Sequence, residues 1–179
     1  TGNTIGGEQA VAWGLADVCV PAHTLPALWD ALQTQGSAVA LEQWIATNLI
    51  AAYARPVSVE AGFDTQLEAA FARPSVTAIV SALEAQPGKH PYTVAATLRK
   101  RSPLMLHVVL EQIRRARAMG LADELRMERD MVQHCFDTVH LGRSGLTSET
   151  VEGIRALAVD KDYRPQWNPP QLEDVTPAM

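Results

Sequence analysis

The stretch "HCFDTVH" gathers four groups able to bind metals or move protons: His134, Cys135, Asp137 and His140. Successive residues of a helix point about 100° apart, so His134 and Cys135 diverge and make poor ligands for one ion. His134 and His140 also miss the i, i+4 spacing that brings two imidazoles onto one helical face. Ser102 and His107 are a second pair to test. Ser102 sits five residues before His107, at an expected helix start, where capping explains a serine better than proton sharing does. The carboxylates Glu111, Asp123, Glu124, Glu128 and Asp130 are scattered. Asp123 reads as a helix cap, and Glu124 with Glu128 as a solvated face that pairs with Arg126 and Arg129. Gly6 and Gly7 precede a helix whose backbone N–H groups could cradle an anion, but no phosphate-loop or dinucleotide pattern accompanies them, and a turn accounts for both. Arg99, Lys100 and Arg101 read as a solvated face or as a phosphate contact. From chemistry alone, no catalytic group stands out.

The elements that position these residues are mostly helical. The chain has 179 residues, 47% hydrophobic and 20% charged, with a formal net charge of −5. That length holds one domain with a real core, or a small domain with an appendage. The acidic balance argues against a nucleic-acid partner, and no apolar run is long enough to span a membrane. Two separated cysteines, Cys19 and Cys135, without a CxxC pair suggest a reducing, cytoplasmic compartment.

Read in order, Gly14 should stop a first short helix, and "ADVCV" offers the one strand signal. Thr24 is a candidate N-cap with Pro26 in the first turn, and Leu28 and Leu32 share a face. Ser37 is a candidate cap for a helix that places Leu41, Trp44, Ile45, Asn48 and Leu49 at helical spacing. Asp64 should cap a short helix with Leu67, Ala70 and Phe71 inward. Pro74 and Ser75 start the next, whose Val76, Ile79, Val80 and Leu83 form an i, i+3, i+4, i+7 stripe. "YTVAATLRK" predicts one more. Ser102 and Pro103 are an N-cap and first-position proline for a long helix, with Leu106, Val109, Leu110 and Ile113 buried and Gly120 as its end. Asp123 should cap another, with Leu125, Val132, Cys135, Phe136 and Val139 inward. The polar loop "GRSGLTSET" leads to a last helix near "VEGIRALAV", followed by a proline-rich tail.

Against this background, "TG…GEQAVAWGLADVCVP" resembles the segment that follows the active site in the enoyl-CoA hydratase/isomerase (crotonase) superfamily. The stretch from Leu98 to Phe136 resembles the C-terminal region of 3-hydroxyisobutyryl-CoA hydrolases. There a Ser-Pro step opens one long helix, and a second carries a Met-Glu-x-Arg/Tyr pattern, here Met127, Glu128 and Arg129. The closing residues Glu152, Gly153, Arg155, Ala156, Asp160, Lys161, Asp162, Pro165, Trp167 and Pro169 match that family's final segment. The resemblance covers essentially the whole chain and is most specific in the last third. It departs where members carry Asp-Phe-x-Glu-Gly and this chain has "TSETVEGI" after the longer loop "HLGRSGL".

The resemblance implies a mostly α chain: the C-terminal helical portion of a crotonase-like β/α spiral fold, with at most one or two short strands near the N-terminus. It divides the chain into residues 1–36, the tail of the spiral core; 37–100, a hydrolase-type helical insert; and 101–179, a C-terminal helical region with a proline-rich tail. It implies a parent enzyme that hydrolyses 3-hydroxyisobutyryl-CoA in valine catabolism. An enoyl-CoA hydratase/isomerase and a stand-alone helical interaction module are the alternatives. In the superfamily the oxyanion-hole donors and catalytic carboxylates lie before the Thr-Gly segment, here Thr1 and Gly2. No catalytic residue is therefore expected in this chain, and alone it should be inactive. Its expected partners are the missing N-terminal half, an acyl-CoA substrate and further copies of itself. No metal or redox cofactor is implied. Lys161 is the candidate contact to a CoA phosphate, with an ion pair to Asp160 or Asp162 as the other reading.

Overall fold

A computed structural model of the chain describes residues 1–35, 38–48 and 67–176. Every regular element among the described residues is helical. The chain forms two compact units, one of residues 2–64, the other of Thr1 with residues 65–179.

In the first unit, α1 (Gly7–Ala12) starts at Gly6 and ends at Trp13, after which Gly14 takes φ +70°. Only glycine enters that left-handed region without a Cβ clash, so Gly14 turns the chain as its position predicts. A Cβ on Gly7 would lie 2.5 Å from Cys19 Sγ; glycine here lets the start of α1 close onto residue 19. The expected strand at "ADVCV" does not form: residues 16–20 carry no ladder. A strand needs a second edge to pair with, and the described residues supply none. A short 3₁₀ turn, Ala22–Thr24, leads into α2 (Leu25–Gln35). Thr24 is not a cap; its hydroxyl donates back to the Pro21 carbonyl at 2.8 Å. Pro26 does lie in the first turn of α2, and Leu28, Ala31 and Leu32 are half-buried. α2 packs on α3 (Ala38–Asn48), where Trp44 and Ile45 are half-buried. Ser37, Leu49 and Asp64, and the side chains of Leu41 and Asn48, lie outside the described residues.

The second unit holds the core. Residues 67–71 are helical, followed by α4 (Val76–Glu84) and α5 (Lys89–Arg99). Ser75 caps α4 by accepting the Ala78 N–H at 3.1 Å. The stripe Val76, Ile79, Val80 and Leu83 is buried as its spacing predicts. It packs with Ala70, Val94, Ala95, Leu98 and Leu172. Gly88, at φ +114°, reverses the chain between the two helices. Arg99 clamps their ends: its Nε and Nη2 donate to Glu84 at 2.5 and 3.1 Å, and its Nη1 to Glu173 at 3.3 Å. Those hydrogen bonds hold the Glu84 carboxyl below its ordinary pKa and raise that of Arg99.

α6 (Pro103–Ala116) and α7 (Leu121–Phe136) follow, then 3₁₀ turns at Val139–Leu141 and Gly145–Thr147. α8 (Glu149–Ile154) runs directly into a π turn, Arg155–Val159. Several residues of this region that periodicity places inward lie at the surface. Leu106 and Leu110 pack on the core, and Leu104 is buried, but Val109 and Ile113 are exposed. Phe71, Leu125, Val132, Phe136 and Val139 are also exposed, and α7 buries no residue. Periodicity locates an apolar face but does not supply the surface that covers it. Gly120 is the N-cap of α7 rather than the end of α6, which stops at Ala116. Asp123 therefore lies inside the first turn of α7, paired with Arg126 at 2.6 Å. Arg129 pairs with Asp130, and Glu128 accepts from Gln112, so the expected Glu124 and Glu128 pairings do not form.

Leu83→Ala should lower the stability of the chain by about 2–5 kcal/mol, because it removes a fully buried side chain from a closed core. Leu125→Ala should stay within about 0.5 kcal/mol. Urea unfolding followed by circular dichroism measures both; equal losses would show that α7 is covered.

Candidate functional site

The residues that carry the resemblance converge where the start of α6, the start of α8 and the closing segment meet. Ser102 caps α6, accepting the Met105 N–H at 3.2 Å, and its hydroxyl donates to Glu149 Oε2. Glu149 opens α8, whose N-cap Ser148 accepts the Val151 N–H at 3.2 Å and is fully buried. Glu149 Oε1 accepts the Asn168 backbone N–H at 2.9 Å and lies 3.6 Å from Arg143 Nη1. Burying a carboxylate is costly unless its lone pairs are filled. Here each oxygen has a donor, which fixes three chain segments around one group. Trp167 extends the junction. Its indole N–H donates to the Lys100 carbonyl at 3.0 Å, and its ring lies 3.5 Å from where a Gly153 Cβ would stand.

Below this junction, Arg155 organises the approach to Lys161. Its Nε and Nη2 donate to the two Glu152 oxygens at 2.9 and 2.8 Å. Its Nη1 donates to Asp160 at 2.5 Å and Asp162 at 2.8 Å, and Nη2 also reaches the Arg164 carbonyl. Glu152 Oε1 takes the Gln166 N–H at 2.6 Å as well. These bonds, chiefly those from Arg155, hold the Glu152 and Asp162 carboxyls below their ordinary pKa values, and Arg155 is raised in turn. Both aspartates flanking Lys161 are thus committed to Arg155. Lys161 sits exposed between them at φ +56°, a region that residues with a Cβ seldom occupy. Among the described residues its ammonium has no ion-pair partner, so the expected pairing with Asp160 or Asp162 does not form.

The other sequence candidates are not brought together. Arg99 is used by the clamp on Glu84 and Glu173, and Arg101 donates to the Thr1 carbonyl at 2.9 Å. The Ser102 hydroxyl is bound to Glu149, while His107 Nδ1 lies 2.9 Å from the Pro103 carbonyl. His134 Nδ1 contacts the Asp130 carbonyl at 2.6 Å, and its ring meets that of His140 edge-on, centroids 4.9 Å apart. No cluster of three metal-ligating side chains occurs among the described residues.

Two features escaped sequence reasoning. One is the pairing of Ser102 with Glu149, 47 residues apart, which no local spacing signals. The other is a cavity of ≈500 Å³ between α6, α7 and the turn that follows, lined by Met127, Met131, Cys135 and Arg143 among others.

Comparison with known proteins gives a consistent outcome. The enoyl-CoA hydratase/isomerase family profile matches residues 1–179. The chain is 32% identical to "Probable 3-hydroxyisobutyryl-CoA hydrolase 2" of Arabidopsis thaliana, covering 100% of this chain and 47% of that protein. It is also 32% identical to "3-hydroxyisobutyryl-CoA hydrolase 1" of the same plant, with the same coverage. The crystal structure of a carnitinyl-CoA dehydratase from Mycobacterium thermoresistibile superposes with a TM-score of 0.71 at 28% identity, over 97% of this chain and 45% of that one. The chain spans about half the length of the curated relatives it matches.

The Arg155 cluster sets a pH dependence. A carboxylate whose folded pKa is depressed contributes stability that is present above its unfolded pKa and lost as pH falls through the folded value. The Glu152 and Asp162 contributions should therefore be intact above about pH 5 and fade at lower pH. Arg155→Ala should flatten this acid limb, seen as a smaller drop in Tm between about pH 5 and pH 2 in a pH series of thermal melts.

Proposed function

The chain belongs to the enoyl-CoA hydratase/isomerase family, and from that premise we propose that it is the C-terminal helical portion of a 3-hydroxyisobutyryl-CoA hydrolase. The observation that carries this reading is the end-to-end match, at 32% identity, to relatives named for that hydrolysis. Thioester hydrolysis needs N–H donors aimed at the thioester oxygen, where negative charge develops, and a carboxylate to move the protons of water. Glu149 is the buried carboxylate among the described residues, and both its oxygens already accept hydrogen bonds from Ser102 and Asn168. Those bonds give it a structural role, tying α6, α8 and the closing segment together. The catalytic groups then belong to the remainder of a longer polypeptide. This chain packs on that remainder and contributes Lys161.

Lys161 is assigned to a phosphate of CoA. Its support is geometric: an exposed ammonium held on a strained turn, with the neighbouring aspartates neutralised by Arg155. CoA arrives as part of the substrate, and the reading calls for no resident metal or redox cofactor. With 3-hydroxyisobutyrate as its product, the proposed enzyme would act in valine degradation. Cys19 and Cys135 are unpaired, which fits a reducing compartment, here taken as the cytoplasm. Self-association through exposed apolar residues such as Leu125 and Phe136 completes the reading.

A second reading, hydration or isomerisation of an enoyl-CoA, draws on the dehydratase likeness. A direct assay separates the two. Free thiol released from 3-hydroxyisobutyryl-CoA should appear with the longer polypeptide that carries this segment, and not with the 179-residue chain alone. Lys161→Glu in the longer polypeptide should raise KM about tenfold and leave kcat unchanged, the mark of a lost binding contact. Turnover by the short chain, or hydration of crotonyl-CoA without thiol release, would sink the hydrolase assignment.

A further inference from the structure

We propose that the ≈500 Å³ cavity between α6 and α7 binds an apolar monocarboxylate, with its hydrocarbon body among methionines and its carboxylate at Arg143. The volume lies within the range of small-molecule sites. Met105, Met119, Met127 and Met131 line it, four of the five methionines in the chain. Unbranched, polarisable thioethers adapt to an apolar body of variable shape. α7 buries no residue, yet it turns Met127, Met131 and Cys135 toward this space. The helix pair therefore leaves a half-open groove where directly packed helices would interdigitate. The mostly apolar wall favours contact with a hydrocarbon over water.

The head-group chemistry comes from the turn after α7, which brings Thr138, His140, Arg143 and Glu149 to the cavity wall. Arg143 is nearly buried, with a side chain 12% exposed. Its nearest carboxylate is Glu149 at 3.6 Å, too far for a hydrogen bond. Glu149 is already committed to Ser102 and Asn168. Arg143 Nη1 is sealed from solvent and has no acceptor; such a donor calls for an explanation. An entering carboxylate would take charge-assisted hydrogen bonds from the guanidinium while Arg143 keeps its longer contact to Glu149, which balances that buried charge. The other charged lining groups are less available, since Arg115 is paired with Glu111 and Asp130 with Arg129. A single cation whose carboxylate contact is longer than a hydrogen bond suits a monoanion better than a phosphate dianion. The site uses only residues of α6, α7 and the turn through α8, so it stands whether or not the chain serves a thioester hydrolase.

Cys135 lines the cavity, and Cys19 belongs to the other compact unit, which gives an internal control. Octanoate, 1-octanol and acetate serve as probes on the full polypeptide that carries this segment, with iodoacetamide alkylation of Cys19 and Cys135 followed by mass spectrometry. Octanoate should slow Cys135 saturably and leave Cys19 unchanged, while acetate does nothing. 1-Octanol should protect about tenfold more weakly, because it lacks the charge. Arg143→Gln should bring octanoate down to the octanol level, and Val108→Trp should abolish protection by filling the space. If Arg143→Gln does not fold, the octanoate-to-octanol ratio on the unaltered chain decides alone. Equal protection by the two probes, or none, overturns the proposal, the former by marking the cavity as a plain apolar surface.

Discussion

A single buried carboxylate holds the second unit in register. Glu149 accepts from the hydroxyl that caps α6 and from the backbone of Asn168 in the closing segment, and it is itself the first residue of α8. A carboxylate in this setting cannot lose one donor without leaving a desolvated lone pair, so the three segments are coupled through it. The Ser-Pro step at residues 102 and 103 acquires a second role from this geometry. The serine caps its own helix with one lone pair and spends its proton on a helix 47 residues away.

Two features of functional interest inherit their positions from that coupling. Along α8 the next turn carries Glu152 and Arg155, and the π turn at Arg155–Val159 swings Asp160 and Asp162 back onto Arg155. That closure presents Lys161 outward at positive φ. On the other side of Glu149, Arg143 is drawn to the wall of the α6–α7 cavity by the same carboxylate. One side of the junction thus exposes a cation, and the other buries one. Their separate fates follow from where the carboxylates are spent: two aspartates on Arg155, and the lone pairs of Glu149 on neutral donors.

Capping signals are legible at Ser75 and Ser102, but not at Thr24, whose hydroxyl turns back to Pro21, nor at Asp123, which lies inside the first turn of α7. Ser75, Ser102 and Pro103 mark helix starts because capping involves only the next few residues. The stripe from Val76 to Leu83 was legible because its partner helix lies a few residues on. Gly120 was misplaced by one element, since a glycine between two helices can end the first or begin the second, and the extended backbone at Gly120 chose the latter. The Ser102–Glu149 pair, the Arg143 contact and the cavity depend on segments far apart in sequence, and no spacing rule encodes them. The resemblance points to Lys161, but it stands unpaired because Arg155, six residues earlier, takes both flanking aspartates, which no spacing rule encodes.

Leu106 and Leu110 hold their inward places on α6, and the inward assignments that fail on α6 and α7 all fail in one direction, which is informative. Val109, Ile113, Leu125, Val132 and Phe136 all have the periodicity of a buried face, and all are exposed. Helical amphipathicity reports the surroundings a sequence is suited to. An apolar face matched to no surface within the described residues carries a hydrophobic cost that contact with other apolar surface would offset. A core residue such as Leu83 owes its burial to α5, which is present and adjacent. The outward apolar edge of α7 has no such neighbour, and this is the face the proposed remainder of a longer polypeptide, or a second copy, would cover. The same sequence rule therefore succeeds at α4 and fails at α7 for one physical reason: burial belongs to the pair of surfaces, and the helix encodes only one of them.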